Sequence, residues 1–476
     1  MTDLYQLTMA YAYWRAGVHE REAVFHLYFR KNPFGGGFSV ACGTERAAEY
    51  VAMLSFDGED LEYLATVRGV DGGRLFPDAF LDYLEEASPA LDVDAIKEGT
   101  PVFPQEPLVR VRGPVLWGQL VETPLLNFVN FETLIATKAA RVCRAAGEAP
   151  VLEFGLRRAQ GVDGGLSASR AAYIGGCAAT SNVLAGRLFG VPVRGTHAHS
   201  WVMFFDGERE AFERYSTALP NNCIFLVDTY DTVEGVKNAI EVGVRLRAEG
   251  HPLIGVRIDS GDLAYLSRRA RELLDSAGFT NTVVVASNDL DEYVIESLRA
   301  QNAAIGTYGV GTRLVTAYDQ PSLGGVYKLS CVRGEDGEWR DRIKLSEQLV
   351  KVSTPGIQQV RRFLLGDEYV GDAIYDINDG TPTAPLVVDP MDPTRRKRMS
   401  KDAVGLDLLE PVVRRGQRLK RAESLPVVRD RARTELSRFH EGIKRFMNPH
   451  SYPAGLEERL FQRRLELVEA ARGVGK

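Results

Sequence analysis

Three short apolar runs, each ending in a polar tip, organise residues 252–317. Leu253-Ile254-Gly255-Val256 leads into Arg257-Ile258-Asp259-Ser260-Gly261-Asp262. Val283-Val284-Val285 leads into Ser287-Asn288-Asp289. Ile305 and Val310 flank the glycines of Gly306-Thr307-Tyr308-Gly309-Val310-Gly311-Thr312. Between the first two tips, Leu263, Leu266, Ala270, Leu273 and Leu274 recur at helical spacing, and Ile295 and Leu298 do so in the next gap. Strand, tip, helix, strand is the pattern of consecutive βα units in a parallel sheet or barrel. Ligand sites in such folds lie at the carboxyl ends of the strands. The tips carry groups suited to a charged sugar phosphate. Arg257 pairs with phosphate or carboxylate, Asp259, Asp262 and Asp289 hold hydroxyls or a metal, and Gly309 and Gly311 let backbone N–H groups approach an anion. Each piece also has a structural reading: Ser-Asn-Asp as a turn, Asp262 as the cap of the helix starting at Leu263. Three such tips in succession favour a ligand site.

The same pattern continues upstream. Residues 151–155 predict a strand followed by the basic pair Arg157-Arg158, with 161–165 as a turn and 169–174 opening a helix. Val191-Pro192-Val193 predicts a short strand, followed by Gly195-Thr196-His197-Ala198-His199-Ser200. Residues 223–227 predict another buried strand, ending at Asp228-Thr229-Tyr230. An irregular α/β barrel is the natural closure of at least six such units. His197 and His199, at i, i+2 with no third Cys or His nearby, do not form a zinc site. A loop histidine is ordinarily just hydrogen-bonded, but this tip would join the others at one end of the barrel.

The flanking regions read differently. Residues 2–16 predict a helix carrying Asp3 and Tyr5 in its first turn, where Asp3 complements the helix dipole and Tyr5 packs or reaches a ligand. Residues 23–41 predict a hairpin turning at Asn32-Pro33-Phe34-Gly35-Gly36-Gly37, and 44–54 a helix. Residues 59–98 predict short helices with acidic, solvated faces, 101–121 strands confined to edges by their prolines, and 124–146 a long helix. Beyond 330 come short strands and, from Ser424, a helical tail. Arg395-Arg396-Lys397-Arg398 reads as a solvated loop. The expected domains are 1–123, an N-terminal α/β domain; 124–330, the barrel; and 331–476, an α+β region packed with the first. The expected fold class is therefore α/β, a barrel with a second α+β domain built from both ends of the chain.

Composition narrows the function. A chain of 476 residues has room for two or three domains, and its net charge of -6 gives no reason to expect nucleic acid or an anionic membrane as partner. No apolar run approaches a membrane span, and the N-terminus lacks the apolar core of a signal peptide. Five scattered cysteines with no Cys-x-x-Cys pair suggest a reducing compartment, the cytoplasm. No Gly-x-x-x-x-Gly-Lys-[Ser/Thr] is present, so any use of ATP does not run through a P-loop.

Several stretches together resemble the nicotinate phosphoribosyltransferases, which have the type II phosphoribosyltransferase fold. These are Thr2-Asp3-Leu4-Tyr5-Gln6-Leu7-Thr8-Met9, Phe29-Arg30-Lys31-Asn32-Pro33-Phe34, residues 130–138 and 153–161, Gly195-Thr196-His197-Ala198-His199-Ser200, residues 256–263, Gly309-Val310-Gly311-Thr312 and residues 320–329. The likeness covers nearly the whole chain. Members of the family carry some residues ahead of the Thr-Asp-x-Tyr start, whereas only Met1 precedes it here.

The resemblance implies joining nicotinate to phosphoribosyl pyrophosphate, giving nicotinate mononucleotide and pyrophosphate, with ATP hydrolysis driving the synthesis and Mg²⁺ as cofactor. It implies Asp259 and Asp289 on ribose hydroxyls directly or through Mg²⁺, with Ser260 beside them. Gly309, Gly311 and Thr312 would hold the 5′-phosphate and Arg157 would neutralise a substrate phosphate. Phe154 would stack on the pyridine ring, with the Tyr5 position of a second subunit on the other face and Asp3 nearby. Arg257 would meet the nicotinate carboxylate, and His199 would accept the γ-phosphoryl group of ATP. His197 is the weaker candidate because its position varies in the family. A homodimer with shared active sites is implied. The alternatives are nicotinamide phosphoribosyltransferase, whose pocket uses an acidic residue where this chain has Thr180-Ser181-Asn182, and an inactive relative that only binds ligand.

Overall fold

The computed structural model describes residues 1–473, which form two compact units: 1–134 with 322–476, less the last three residues, and 135–321. Both ends of the chain therefore build one unit. The division falls within the long helix Glu122–Ala146, at 134/135 rather than at 123/124.

The second unit is a six-stranded parallel sheet. Its order is Ala179–Thr180, Val151–Glu153, Thr307–Val310, Val283–Ser287, Gly255–Ile258 and Ile224–Leu226. The helices Gly161–Ile174, Thr232–Ala248, Leu263–Ser276 and Glu292–Ala300 connect successive strands. The strands are buried apolar runs: Phe225, Val256, Val284 and Val310 are almost wholly covered. That is the composition of a sheet with both faces packed. The hydrogen-bonded ladder itself does not close into a barrel. Between its two edges runs the segment 191–197, in which Val193 forms a parallel bridge to Thr180 and His197 accepts the Leu226 N–H at 3.3 Å. Residues 191–193 thus contribute one bridge, not the expected strand. Pro192 has no N–H to give a ladder.

In the first unit a seven-stranded antiparallel sheet runs in the order Trp339–Asp341, Gly325–Arg333, Glu22–Phe29, Val109–Pro114, Asp92–Ile96, Leu409–Arg414 and Gln417–Arg418. A six-stranded sheet runs Arg396–Arg398, Leu386–Val388, Ala454–Glu457, Glu368–Asp376, Gln358–Leu365 and Val404–Asp407. Around the latter, Val360, Ile374, Val388, Leu456, Leu460 and Phe461 form an apolar core.

Several expected elements differ. The hairpin over 23–41 does not form. Glu22–Phe29 is a central strand, buried at seven of its eight positions, with Gly325–Arg333 and Val109–Pro114 on its two sides. Ser39–Val40 instead pairs with Pro101–Val102. Asp92–Ile96 is a strand, not the tail of a helical region, and Val115–Leu120 is a helix where strand was expected. Residues 161–165 begin a helix rather than a turn: Gly161 takes φ +78 at its start and the helix runs on to Ile174. The run Arg395–Arg398 is exposed as expected, but Arg396–Arg398 is an edge strand, where exposed charge discourages pairing with another chain.

Candidate functional site

A pocket of about 370 Å³ opens in the second unit, at the carboxyl ends of its parallel strands. Phe154, Arg157, Thr196, His199, Arg257 and Asp259 are among the residues that line it.

Arg257 and Asp259 stand two residues apart where Gly255–Ile258 ends, while Ile258 between them is buried. The alternation of a strand therefore puts both charged side chains on one face. Arg257 is firmly held. Its Nε donates to Ser287 Oγ at 2.7 Å, Nη1 to Thr196 Oγ1 at 3.1 Å and Nη2 to Asp259 Oδ1 at 3.0 Å. Ser287 Oγ also donates to Asp259 Oδ1. A guanidinium has five N–H donors, so two remain for a ligand. The guanidinium carbon lies 5.6 Å from the centre of the Phe154 ring.

Phe154 is fixed from below and behind. Its N–H donates to Val310 O at 2.8 Å. A Cβ on Gly309 would come within 2.7 Å of the ring, so the glycine makes room for the aromatic wall. The neighbouring Glu153 is buried and accepts from Gly155 N–H, from Ser169 Oγ at 2.8 Å and from Thr180 Oγ1 at 2.5 Å. All its bonds are internal, and they lock the strand end that carries Phe154.

His199 begins the short helix His199–Met203 and has a side chain 37% exposed. Its Nδ1 lies 3.1 Å from Thr229 Oγ1, and its Nε2 lies 4.0 Å from both Asp228 Oδ1 and Asp259 Oδ2. The Asp228 side chain is only 1% exposed. Its Oδ2 accepts the Asp259 N–H at 2.8 Å and the Ser260 hydroxyl at 2.6 Å. Its Oδ1 is buried without a hydrogen-bond partner among the described residues. That atom and Asp259 Oδ2 are carboxylate oxygens of the kind a hard cation such as Mg²⁺ prefers. Nearby, burial pushes the Glu208 carboxyl up to about 6.

His197 has a different environment. It is buried among Phe212, Tyr215 and Phe225, and Nε2 accepts from Leu226 N–H. The proton therefore sits on Nδ1, which donates to Ala198 O at 3.3 Å. Burial is the main reason its imidazole is pushed down to about 4. It also lines the pocket, but both its ring nitrogens are committed to backbone groups, so its role is structural.

The structure thus brings Phe154, Arg157, His199, Arg257 and Asp259 to one pocket. Ser260 is exposed beside them, tied to Asp228. Asp289 is exposed beyond the end of the adjacent strand, after Asn288 with φ +106, and does not line the pocket. Gly309 supports the pocket from behind Phe154, and Gly311 precedes the short helix Thr312–Val315. Asp262 caps its own helix by accepting from Tyr265 N–H at 3.0 Å. Asp3 and Tyr5 belong to the first unit, where Thr123 Oγ1 donates to Asp3 Oδ2 at 2.5 Å and Tyr5 is half exposed on the helix Leu4–Arg15. Four anchors escaped sequence reasoning: Thr196, Asp228, Thr229 and Ser287. The signal available was only that each lies at a strand end or tip already singled out.

Parallel strands whose carboxyl ends carry a pocket with a tethered arginine, an aromatic wall and two carboxylates form the arrangement in which α/β enzymes place their ligand sites. The family model for the nicotinate phosphoribosyltransferase (NAPRTase) N-terminal domain matches residues 1–130, and that for the nicotinate phosphoribosyltransferase C-terminal domain matches 358–464. A nicotinate phosphoribosyltransferase of Bacillus subtilis is 42% identical over 98% of this chain and 94% of its own length. One of Homo sapiens is 35% identical over 97% and 95%. The crystal structure of human nicotinic acid phosphoribosyltransferase superposes with a TM-score of 0.85, at 33% identity, covering 98% of this chain and all of that one. The chain belongs to the nicotinate phosphoribosyltransferase family, enzymes of NAD biosynthesis. Among the described residues, no helix is long and apolar enough to cross a membrane.

Proposed function

We propose that the pocket of the second unit is where nicotinate is joined to phosphoribosyl pyrophosphate. The observation that carries this reading is Arg257, which lines the pocket with two of its five donors uncommitted and its guanidinium carbon 5.6 Å from the centre of the Phe154 ring. A flat ring bearing a carboxylate suits both: the ring stacks on Phe154 and the carboxylate takes the fork. Nicotinamide suits them less well. The stretch Thr180-Ser181-Asn182 offers no acid to accept an amide N–H, and Glu153 is saturated by its own neighbours.

Displacement of pyrophosphate breaks the C1–O bond of the ribose and forms a bond from C1 to the pyridine nitrogen. Positive charge builds on the sugar as this occurs. Asp259, fixed by Arg257 and Ser287, supplies a carboxylate that stabilises it. Arg157, exposed at the pocket rim, neutralises a substrate phosphate, and the backbone around Gly309, Gly311 and Thr312 takes the 5′-phosphate. Ser260, exposed beside the pocket, holds a ribose hydroxyl. Mg²⁺ would be held by Asp259, and Asp228 Oδ1 offers a further oxygen, whereas Asp289 lies outside the pocket lining. When bound it offsets the charge of the diphosphate. We place this chemistry in the cytoplasm.

His199 is the acceptor for ATP. Thr229 orients the ring, and a neutral imidazole nitrogen takes the γ-phosphoryl group as the bond to ADP breaks. Incubated with γ-labelled ATP, the protein should acquire an acid-labile, base-stable label that His199→Ala abolishes together with ATP hydrolysis. A label retained by His199→Ala would overturn the assignment.

A further inference from the structure

We infer that Cys143 and Cys177 are a peroxide-sensitive thiol pair that closes to a disulfide on the face of the second unit opposite its pocket. Their sulfurs lie 4.0 Å apart, and neither is in a disulfide. A disulfide needs about 2.05 Å, so side-chain rotation and a small backbone shift are enough to join them.

The surroundings favour this closure. Cys143 lies in the last turn of the helix Glu122–Ala146, and Cys177 follows the helix Gly161–Ile174 by three residues. The two helices approach each other closely where glycine permits it. A Cβ on Gly175 would lie 2.3 Å from Ala136 O, and one on Gly176 would lie 3.3 Å from Cys143 Sγ. Gly176 takes φ +121, a conformation that keeps the chain against the helix. Cys143 is half-buried and accessible to a small oxidant, whereas Cys177 is fully buried.

The chemistry balances with peroxide as oxidant. The Cys143 thiolate attacks one peroxide oxygen and the O–O bond breaks, giving a sulfenic acid and hydroxide, which a proton converts to water. The Cys177 thiolate then attacks the Cys143 sulfur, forming the S–S bond and expelling the sulfenic oxygen, which leaves as a second water after protonation. Both thiols lose their protons and two electrons pass to peroxide. Strand direction decides the consequence. Cys177 precedes the strand Ala179–Thr180, whereas pocket-lining Ser181 follows it. The bond therefore forms at the amino-terminal end of the sheet, where changes act on stability rather than on the ligand.

The test is to treat the full chain with hydrogen peroxide, block it with iodoacetamide under denaturing conditions and map the peptides. The expected result is that reactive thiols fall from five to three, that a peptide linking Cys143 to Cys177 appears and that dithiothreitol reverses both. The thermal midpoint should rise, and phosphoribosyl transfer should stay within twofold. In Cys177→Ser, Cys143 should instead accumulate as a sulfenic acid trapped by a dione reagent. Five surviving thiols, a different pairing, oxidation of Cys143 without a linked peptide, or loss of transfer on closure would each overturn the proposal.

Discussion

Arg257 Nη2 donates to Asp259 Oδ1 at 3.0 Å, and Ser287, from the neighbouring strand, bonds to both residues. The arginine is thus aimed by three partners, Thr196 being the third. Arg257→Lys keeps a positive charge but has neither the planar fork nor the reach to all three. We expect kcat/KM for nicotinate to fall by roughly 100-fold, with most of the change in KM. Steady-state kinetics check this. An unchanged KM would remove Arg257 from the carboxylate.

Gly309 lies behind the aromatic wall, and its replacement by alanine places a methyl group within 2.7 Å of the Phe154 ring. The ring must shift from its place in the pocket wall. Transfer should fall by about 10- to 100-fold, since displacement of order 1 Å costs that much. Phe154→Leu should suffer less from Gly309→Ala than the parent does, because a smaller side chain removes the clash. A double-mutant cycle measures this, and strict additivity would count against the contact.

His197 connects solution pH to stability. Its imidazole is pushed from 6.5 down to about 4 in the folded chain. Between these values the unfolded chain binds the extra proton. The stabilisation from neutral His197 is therefore complete above about pH 6.5 and is lost as pH falls towards about 4. From pH 7.5 to pH 5 the loss is about 2 kcal/mol. Glu208, raised to about 6, acts in the opposite direction over part of this range, so the comparison must be with His197→Gln. Urea midpoints at both pH values should show a smaller pH dependence in the variant. Equal dependence would show that His197 is not held neutral.

Subunit sharing is testable through Tyr5, half exposed on the first helix of the chain. Tyr5→Ala and Arg257→Ala should each be nearly inactive. If the protein is a homodimer with shared sites, refolding the two together gives mixed dimers with one intact site and one doubly damaged site. Activity should return to a substantial fraction of the parent. No recovery would place both residues in a site within one chain.

The parallel sheet was legible because its strands are apolar runs ending in polar tips, as in Val283-Val284-Val285 before Ser287. Arg257 and Asp259 stood out at one of those tips for the same reason, whereas Phe154, Arg157 and His199 took their roles only from the family resemblance. Asp228 was not, because a buried acid that holds Asp259 N–H and the Ser260 hydroxyl reads in sequence as an ordinary turn residue. The pairing of Glu22–Phe29 was illegible for a different reason. A hairpin is a local inference, whereas this strand's partner Gly325–Arg333 lies far along the chain. Gly161–Gly165 misled because glycines signal turns, yet here Gly161 only starts a helix whose packing outweighs its poor propensity.

The most direct measurement is product formation by the purified protein given phosphoribosyl pyrophosphate with nicotinate or with nicotinamide, each with and without ATP. Nicotinate mononucleotide and pyrophosphate should form from nicotinate, faster with ATP, with little product from nicotinamide. Preference for nicotinamide would contradict the role given to Arg257 and Phe154, and absence of product from either pyridine would contradict the assignment of the reaction to this pocket.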